Sequence, residues 1–257
     1  MLKTTIVLIS HQTPAEVSAM AEAWQRLNPE AEIHVAYGGA EERFAEVHWP
    51  RRTWIGDARL RTRDHQRERQ SYRGLMQAMA ESLGGRGVDR VVLVECDVAP
   101  LQPGLAAFLN RRGAEERADV LGARLRRVDG TSHPHYLAHL SHPQFQSWLE
   151  GTVRPEADVV LMMLGCLTWW TWEAFVATAR AAEPLPVYLE LAMPTTAHHL
   201  GFRVRGLPEW DEDLAPLGER AAEREERAAA GAWVLHPCKE LWRAGTVAAA
   251  GGFSRSF

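Results

Sequence analysis

Glu95 and Asp97 close the most uniformly apolar stretch of the sequence, Arg90-Val91-Val92-Leu93-Val94, and a single cysteine separates them. Alternate side chains of an extended strand face the same side, so this spacing sends both carboxylates towards one site. Neighbouring carboxylates repel unless a cation or donor compensates them. A hard divalent ion such as Mg²⁺ or Mn²⁺ suits the pair, because one or two carboxylates hold it while substrate phosphates and water complete the shell. Asp97 is equally suited to capping the turn at Val98-Ala99-Pro100-Leu101 through backbone N–H groups. His236 adds an imidazole, which beside carboxylates favours a borderline ion such as Mn²⁺ over an all-oxygen calcium cage. Alone, a histidine before a proline reads as a turn residue. Lys239 has the reach of a point charge for a diphosphate, or is an ordinary solvated lysine.

Three further groups bear chemistry. The arginine-rich stretch Arg59 to Arg73, at the amino end of a helix expected from Thr62 to Leu83, spreads Arg61, Arg63, Arg67, Arg69 and Arg73 over several faces, the habit of a solvated helix. If the start of that helix faces the site, Arg63 or Arg67 has the planar fork to bind phosphate or stack on a base. Trp169, Trp170 and Trp172 follow Gly165-Cys166-Leu167-Thr168. An exposed indole there suits the apolar face of a sugar, whereas core packing is the plainer expectation for at least two of the three. Glu190, at the start of an expected helix, is placed either to activate a hydroxyl as a general base or to meet the helix dipole.

The elements that position these residues alternate in type. Thr5 to Ile9 is a β-branched and aliphatic run, the pattern of a strand buried on both faces. Thr13-Pro14-Ala15-Glu16 has a capping threonine, proline at the first helical position and glutamate where a capping box needs it. Val17, Met20, Ala21 and Trp24 then recur at helical spacing. Glu32 to Tyr37 reads as a second strand ended by Gly38-Gly39, giving a βαβ unit with a right-handed crossover. Beyond the strand that ends at Glu95, the sequence predicts a short strand over 119–123 and an irregular stretch over 124–142. It predicts an apolar strand over 158–164, a tryptophan-rich helix start and a helix from about 189 to 200. A short strand over 202–204 and a charged helix over 211–230 follow. This alternation predicts one α/β sheet covered by helices, with ligands at the carboxyl ends of its strands. Ser10-His11-Gln12, Tyr37-Gly38-Gly39, Glu95-Cys96-Asp97, Gly165-Cys166-Leu167-Thr168 and His236-Pro237-Cys238-Lys239 should therefore converge.

Composition sets the bounds. The 257 residues, 46% of them hydrophobic, suffice for one large α/β domain. A net charge of -4, with acidic and basic residues mixed along the chain, leaves no footprint for nucleic acid. The three cysteines lie about seventy residues apart with no CxxC pair, which points to a reducing compartment. Ile6 to Ile9 is too short for a signal peptide and Val159 to Leu167 too short for a membrane span, so a cytoplasmic protein is expected.

Taken in order, the first strand with His11-Gln12, Tyr37-Gly38-Gly39, the arginine-rich helix, Glu95-Cys96-Asp97, Gly165-Cys166, Glu190-Leu191-Ala192 and His236-Pro237-Cys238-Lys239 resemble the GT-A-fold glycosyltransferases, the nucleotide-diphospho-sugar transferases. The resemblance covers roughly Thr4 to Lys239. It implies a single α/β domain over residues 1–240 with a mixed, mainly parallel sheet flanked by helices, and a tail over 241–257. It further implies a divalent cation (Mn²⁺ or Mg²⁺), a nucleoside-diphosphate sugar donor and an acceptor of carbohydrate or small-molecule type. Asp97 matches the last acid of the family's DxD-type motif, with Glu95 in place of its first, and His236 matches the late histidine of the metal shell. Glu190 sits where inverting members hold their base. Ser10, His11 and Gln12 would cradle the nucleotide, with Tyr37, Arg63, Arg67 and Lys239 as further donor contacts. Tyr37-Gly38-Gly39 lacks the acid that often receives uracil or ribose, which leaves the donor base open. The alternatives are a sugar nucleotidyltransferase, against which the glycine-free loop after the first strand speaks, and a non-catalytic protein that binds nucleotide sugars.

Overall fold

The computed structural model describes residues 2–56, 72–141, 143–152, 158–181 and 188–242. The chain opens with β1 (Thr4–Ser10), buried along its whole length, and α1 (Pro14–Leu27). Thr13 caps this helix as expected. Its side chain accepts from the Glu16 N–H, and the Glu16 carboxylate accepts from the Thr13 N–H at 2.9 Å. There follow β2 (Glu32–Tyr37), β3 (Arg52–Trp54), α2 (Tyr72–Leu83) and β4 (Arg90–Glu95). Next come β5 (Ala99–Pro100), α3 (Leu105–Glu115), β6 (Val120–Gly122), β7 (Arg126–Arg127), α4 (Pro134–Leu140) and α5 (Pro143–Thr152). The last described part contains β8 (Leu161–Met162), β9 (Leu167–Thr171), α6 (Trp172–Ala181), α7 (Leu189–His199), β10 (Val204–Gly206), α8 (Arg224–Ala229) and β11 (Val234–Leu235).

Seven strands make the main sheet in the order β10-β6-β9-β4-β1-β2-β3. β9 alone runs antiparallel to its neighbours β4 and β6, so the sheet is mixed and mainly parallel, as expected. Alternation along β1 divides the core. Ile6 and Leu8 join Val17, Met20 and Trp24 of α1 and Leu105 and Leu109 of α3 on one face. Val7 and Ile9 join Leu75 and Met79 of α2, Phe175 of α6 and Met193 of α7 on the other. Helices thus cover both faces, which is why the strands read as continuous apolar runs.

Several elements differ from their expectation. Trp169 and Trp170 lie inside β9, both buried and on opposite faces of the sheet; the helix begins only at Trp172. A continuous apolar run has no periodicity to separate strand from helix. Neither indole is available to a sugar. Of the apolar run over 158–164, only Leu161–Met162 pairs as a strand, with β7 outside the main sheet. Its amides go to separate partners: Val160 to Asp129 Oδ1, Leu161 to Thr195 Oγ1, Met163 to the Glu190 carbonyl and Leu164 to the Ala123 carbonyl. The stretch over 124–142, expected to be irregular, contains β7 and α4, and the strand expected over 202–204 forms at Val204–Gly206. The charged helix over 211–230 shrinks to a 3-10 turn and α8, because Pro216 and Gly218 (φ 115°) interrupt it. The amino part of the arginine-rich helix, with Arg63 and Arg67, lies outside the described residues.

Candidate metal centre

β4 ends at Glu95 on the carboxyl edge of the sheet, and Cys96-Asp97 turns out of it. Because β9 is antiparallel to β4, its beginning meets that same edge: Val94 pairs with Leu167, and the Glu95 N–H donates to the Cys166 carbonyl at 2.9 Å. This reversal brings Gly165-Cys166 beside the carboxylates. The third contribution comes from the far end of the chain. β11 pairs antiparallel with β5, two residues beyond Asp97, and delivers His236. The Cys238 N–H then donates to the Asp97 carbonyl at 2.7 Å.

Glu95, Asp97 and His236 each offer a ligand atom, and these atoms lie within 4.8 Å of one another. Among the described residues this is the one cluster of three or more such groups. His236 is 6% exposed, while the two carboxylates are half-buried. Its Nε2 stands 3.3 Å from Asp97 Oδ1, and its Nδ1 donates to the Ala215 carbonyl at 2.6 Å. Burial alone would lower the imidazole's pKa. The hydrogen bond to Asp97, the charges of Asp97 and Glu95 and the Ala215 carbonyl outweigh it and hold the pKa above its ordinary value. With a carbonyl fixing Nδ1 as a donor, Nε2 is the nitrogen left to face a cation.

The three cysteines converge on the same place. Burial, reinforced by Asp97 and Glu95, pushes the Cys96 and Cys166 thiols well above their usual range, and burial pushes Cys238 up to about 12. All three are held as neutral thiols, and the cluster itself offers two carboxylates and one imidazole.

This chain is similar in structure to glycosyltransferases. A galactosyltransferase, LgtC, in complex with donor and acceptor sugar analogues is 11% identical, with 79% of this chain and 72% of that chain covered and a TM-score of 0.45. An active-site variant of LgtC gives 11% identity, 91% and 87% coverage and a TM-score of 0.49. A CMP:2-keto-3-deoxy-manno-octonic acid synthetase complexed with CTP gives 11% identity, 80% and 89% coverage and a TM-score of 0.46. No family model matches the chain, and neither does any curated protein.

Of the remaining expected site residues, Ser10 and Tyr37 end β1 and β2 at the same edge, and Arg63 and Arg67 lie outside the described residues. Ser10 is buried and turned inward: its hydroxyl accepts from the Gln12 N–H at 3.2 Å and is hydrogen-bonded to the Cys96 thiol. His11 is exposed, and Gln12 holds a buried Oε1 without a hydrogen-bond partner. Tyr37 is buried under Gly39, whose carbonyl accepts from Trp54 Nε1 at 3.1 Å, and its ring stacks on Phe44. Glu190 is buried in the first turn of α7, and its Oε1 accepts from the Gly165 N–H at 3.2 Å. It also raises the Cys166 thiol, which feels Glu95 and Asp97 as well. Lys239 is exposed, with its N–H donating to Glu219 Oε2 at 2.8 Å.

Sequence reasoning missed Ala215, whose carbonyl accepts from His236 Nδ1, and Asp213, whose carbonyl accepts from the His236 N–H at 3.0 Å. Their part is played mainly through backbone carbonyls, which no residue type announces.

Proposed function

We propose that this protein is a metal-assisted glycosyltransferase that moves a sugar from a nucleoside-diphosphate sugar to an acceptor hydroxyl. The observation behind this reading is the meeting of Glu95, Asp97 and His236 at the carboxyl edge of a mainly parallel sheet, where such sheets place their ligands. The order of these residues along the chain is also the order that resembles the GT-A glycosyltransferases. Two carboxylates and one imidazole fit Mn²⁺ or Mg²⁺, and their ligand atoms all lie within 4.8 Å of one another.

Asp97 and His236 are the direct ligands in this proposal, and Glu95 either binds through water or positions a donor hydroxyl. When bound, the cation supplies Lewis acidity to the leaving diphosphate. Glu190 is the candidate general base of an inverting reaction: a carboxylate anchored on Gly165 N–H, close to the thiol that also feels Glu95 and Asp97. Gln12, with its unpartnered buried Oε1, and His11 offer polar contacts to the nucleotide. Tyr37, Arg63, Arg67 and Lys239 complete the proposed donor contacts. We assign residues 1–240 to the catalytic domain and place the protein in the cytoplasm; no helix among the described residues is long and apolar enough to cross a membrane.

The junction of β1 and α1 speaks against a sugar nucleotidyltransferase. Glu16 occupies the helix start with its own carboxylate, where a triphosphate cradle would need free N–H groups. The test is a thermal-shift screen of UDP-, GDP-, TDP- and ADP-sugars, each with and without Mn²⁺. A melting temperature raised by one nucleotide sugar only with metal, together with turnover of that donor, supports the proposal. No shift at millimolar ligand would overturn it, and tight binding without turnover would identify a non-catalytic binding protein.

A further inference from the structure

Residues 211–215 belong to no helix and no sheet, yet every one of their carbonyls has a partner. Arg124 donates from Nη2 to the Asp211 carbonyl at 2.6 Å and from Nε to the Leu214 carbonyl at 3.1 Å. Arg220 donates from Nη1 to the carbonyls of Glu212 at 2.8 Å and Asp213 at 3.2 Å. His236 takes what is left: its N–H donates to the Asp213 carbonyl at 3.0 Å and its Nδ1 to the Ala215 carbonyl. The Ala215 N–H returns a bond to the His236 carbonyl at 3.1 Å. The histidine is thus gripped at its backbone and at its ring by a segment whose other carbonyls Arg124 and Arg220 hold, while Arg227 Nε donates to the Asp213 carboxylate at 2.9 Å.

Arg220 is the residue that joins both sides of this grip. Its own N–H donates to the carbonyl of Pro237, next to His236, at 2.8 Å, while its guanidinium holds the segment opposite. Glu223 fixes that guanidinium through Nε at 3.1 Å and Nη2 at 2.6 Å. Only a planar fork serves two carbonyls and a carboxylate at once.

We infer that Arg220 is a positioning residue of the metal centre: by holding Glu212 and Asp213 it keeps the Ala215 carbonyl on His236 Nδ1 and turns Nε2 towards Asp97. This rests on the proposed role of His236 as a ligand. The sign of the effect distinguishes positioning from charge. Removing a nearby cation should strengthen the binding of a divalent ion by simple electrostatics, whereas losing a partner that orients a ligand weakens it, commonly by about ten- to a hundredfold.

The test uses the full chain with Mn²⁺ alone, titrated by the electron paramagnetic resonance of free Mn²⁺, for wild type, His236→Ala, Arg220→Ala, Arg220→Lys and Glu223→Gln. Arg220→Ala should weaken binding by about tenfold or more, Arg220→Lys should restore part of it, and Glu223→Gln, at a half-exposed carboxylate, should weaken it mildly in a folded protein. Nitrogen-15 spectra of the neutral imidazole should show the Nδ1-protonated tautomer in wild type and a mixture in Arg220→Ala. If Arg220→Ala does not fold, Glu223→Gln decides through the same two readouts. Weakened binding in His236→Ala with unchanged affinity and tautomer in the Arg220 and Glu223 variants overturns this inference alone. Equal Mn²⁺ binding by wild type and His236→Ala overturns the metal ligand assignment, and this inference with it.

Discussion

His236 Nε2 and Asp97 Oδ1 face each other at 3.3 Å, joined by the pairing of β11 with β5 rather than by closeness in sequence. Each residue is the other's partner: against the lowering effect of burial, the carboxylate helps to hold the imidazole's pKa above its ordinary value. A cation that enters competes with this pair for both side chains. Asp97→Asn removes the charge while keeping the size of the side chain. We expect the variant to stay folded and to lose the Mn²⁺-dependent rise in melting temperature and metal-dependent turnover. Retained metal dependence would remove Asp97 from the shell.

Glu190 presents two roles that a pair of substitutions separates. Its Oε1 accepts from the Gly165 N–H, a bond that a glutamine oxygen reproduces. Glu190→Gln should therefore melt close to wild type while turnover falls by about a hundredfold or more, the usual share of a general base. Glu190→Ala should lower both, because the buried Gly165 N–H loses its acceptor. Full turnover in Glu190→Gln would leave the residue as an anchor of the Gly165 turn and nothing more.

Gly39, two residues beyond the end of β2, has no room for a side chain: a Cβ there would overlap the Tyr37 phenol ring. Tyr37 is 1% exposed and stacked on Phe44, so the ring has little freedom to yield. Gly39→Ala should cost about 1–3 kcal/mol in urea unfolding. Combining it with Tyr37→Leu should cost less than the sum of the two single changes, since the second removes the overlap. Strict additivity would show that the glycine answers to something else.

What the sequence disclosed about this fold follows from the range of the interactions. The start of α1 was legible because Thr13, Pro14 and Glu16 complete the capping box within four residues. The end of β4 was legible because a strand buried on both faces is apolar at every position until the site begins. Trp169 and Trp170 were not, since an apolar run fits a strand or a buried helix equally, and the antiparallel pairing with Val91 and Val92 decides it. The grip on His236 was hidden more deeply. It depends on Arg124 in a left-handed conformation (φ 55°) and on carbonyls of a segment that reads, by charge pattern, as a helix. Such contacts are set by tertiary structure and have no local signature.

His34 gives the protein a pH dependence that is independent of the metal centre. It is 1% exposed in β2; Nε2 is 2.9 Å from Thr53 Oγ1, and Nδ1 is buried without a partner. Burial first, and then the charge of Arg86, pull its pKa from 6.5 down to about 4. The folded state thus binds the proton less readily than the unfolded chain. The stability contributed by keeping the imidazole neutral is present above pH 6.5 and is lost progressively as the pH falls towards 4. At about 1.4 kcal/mol per pKa unit the full loss is roughly 3 kcal/mol. Urea unfolding of wild type and His34→Gln at pH 7, 5.5 and 4.5 measures it. Gln keeps a polar group beside Thr53 but does not titrate, so the stability gap between the two proteins should shift in favour of the variant on acidification. Parallel losses in both would place the acid sensitivity elsewhere in the chain.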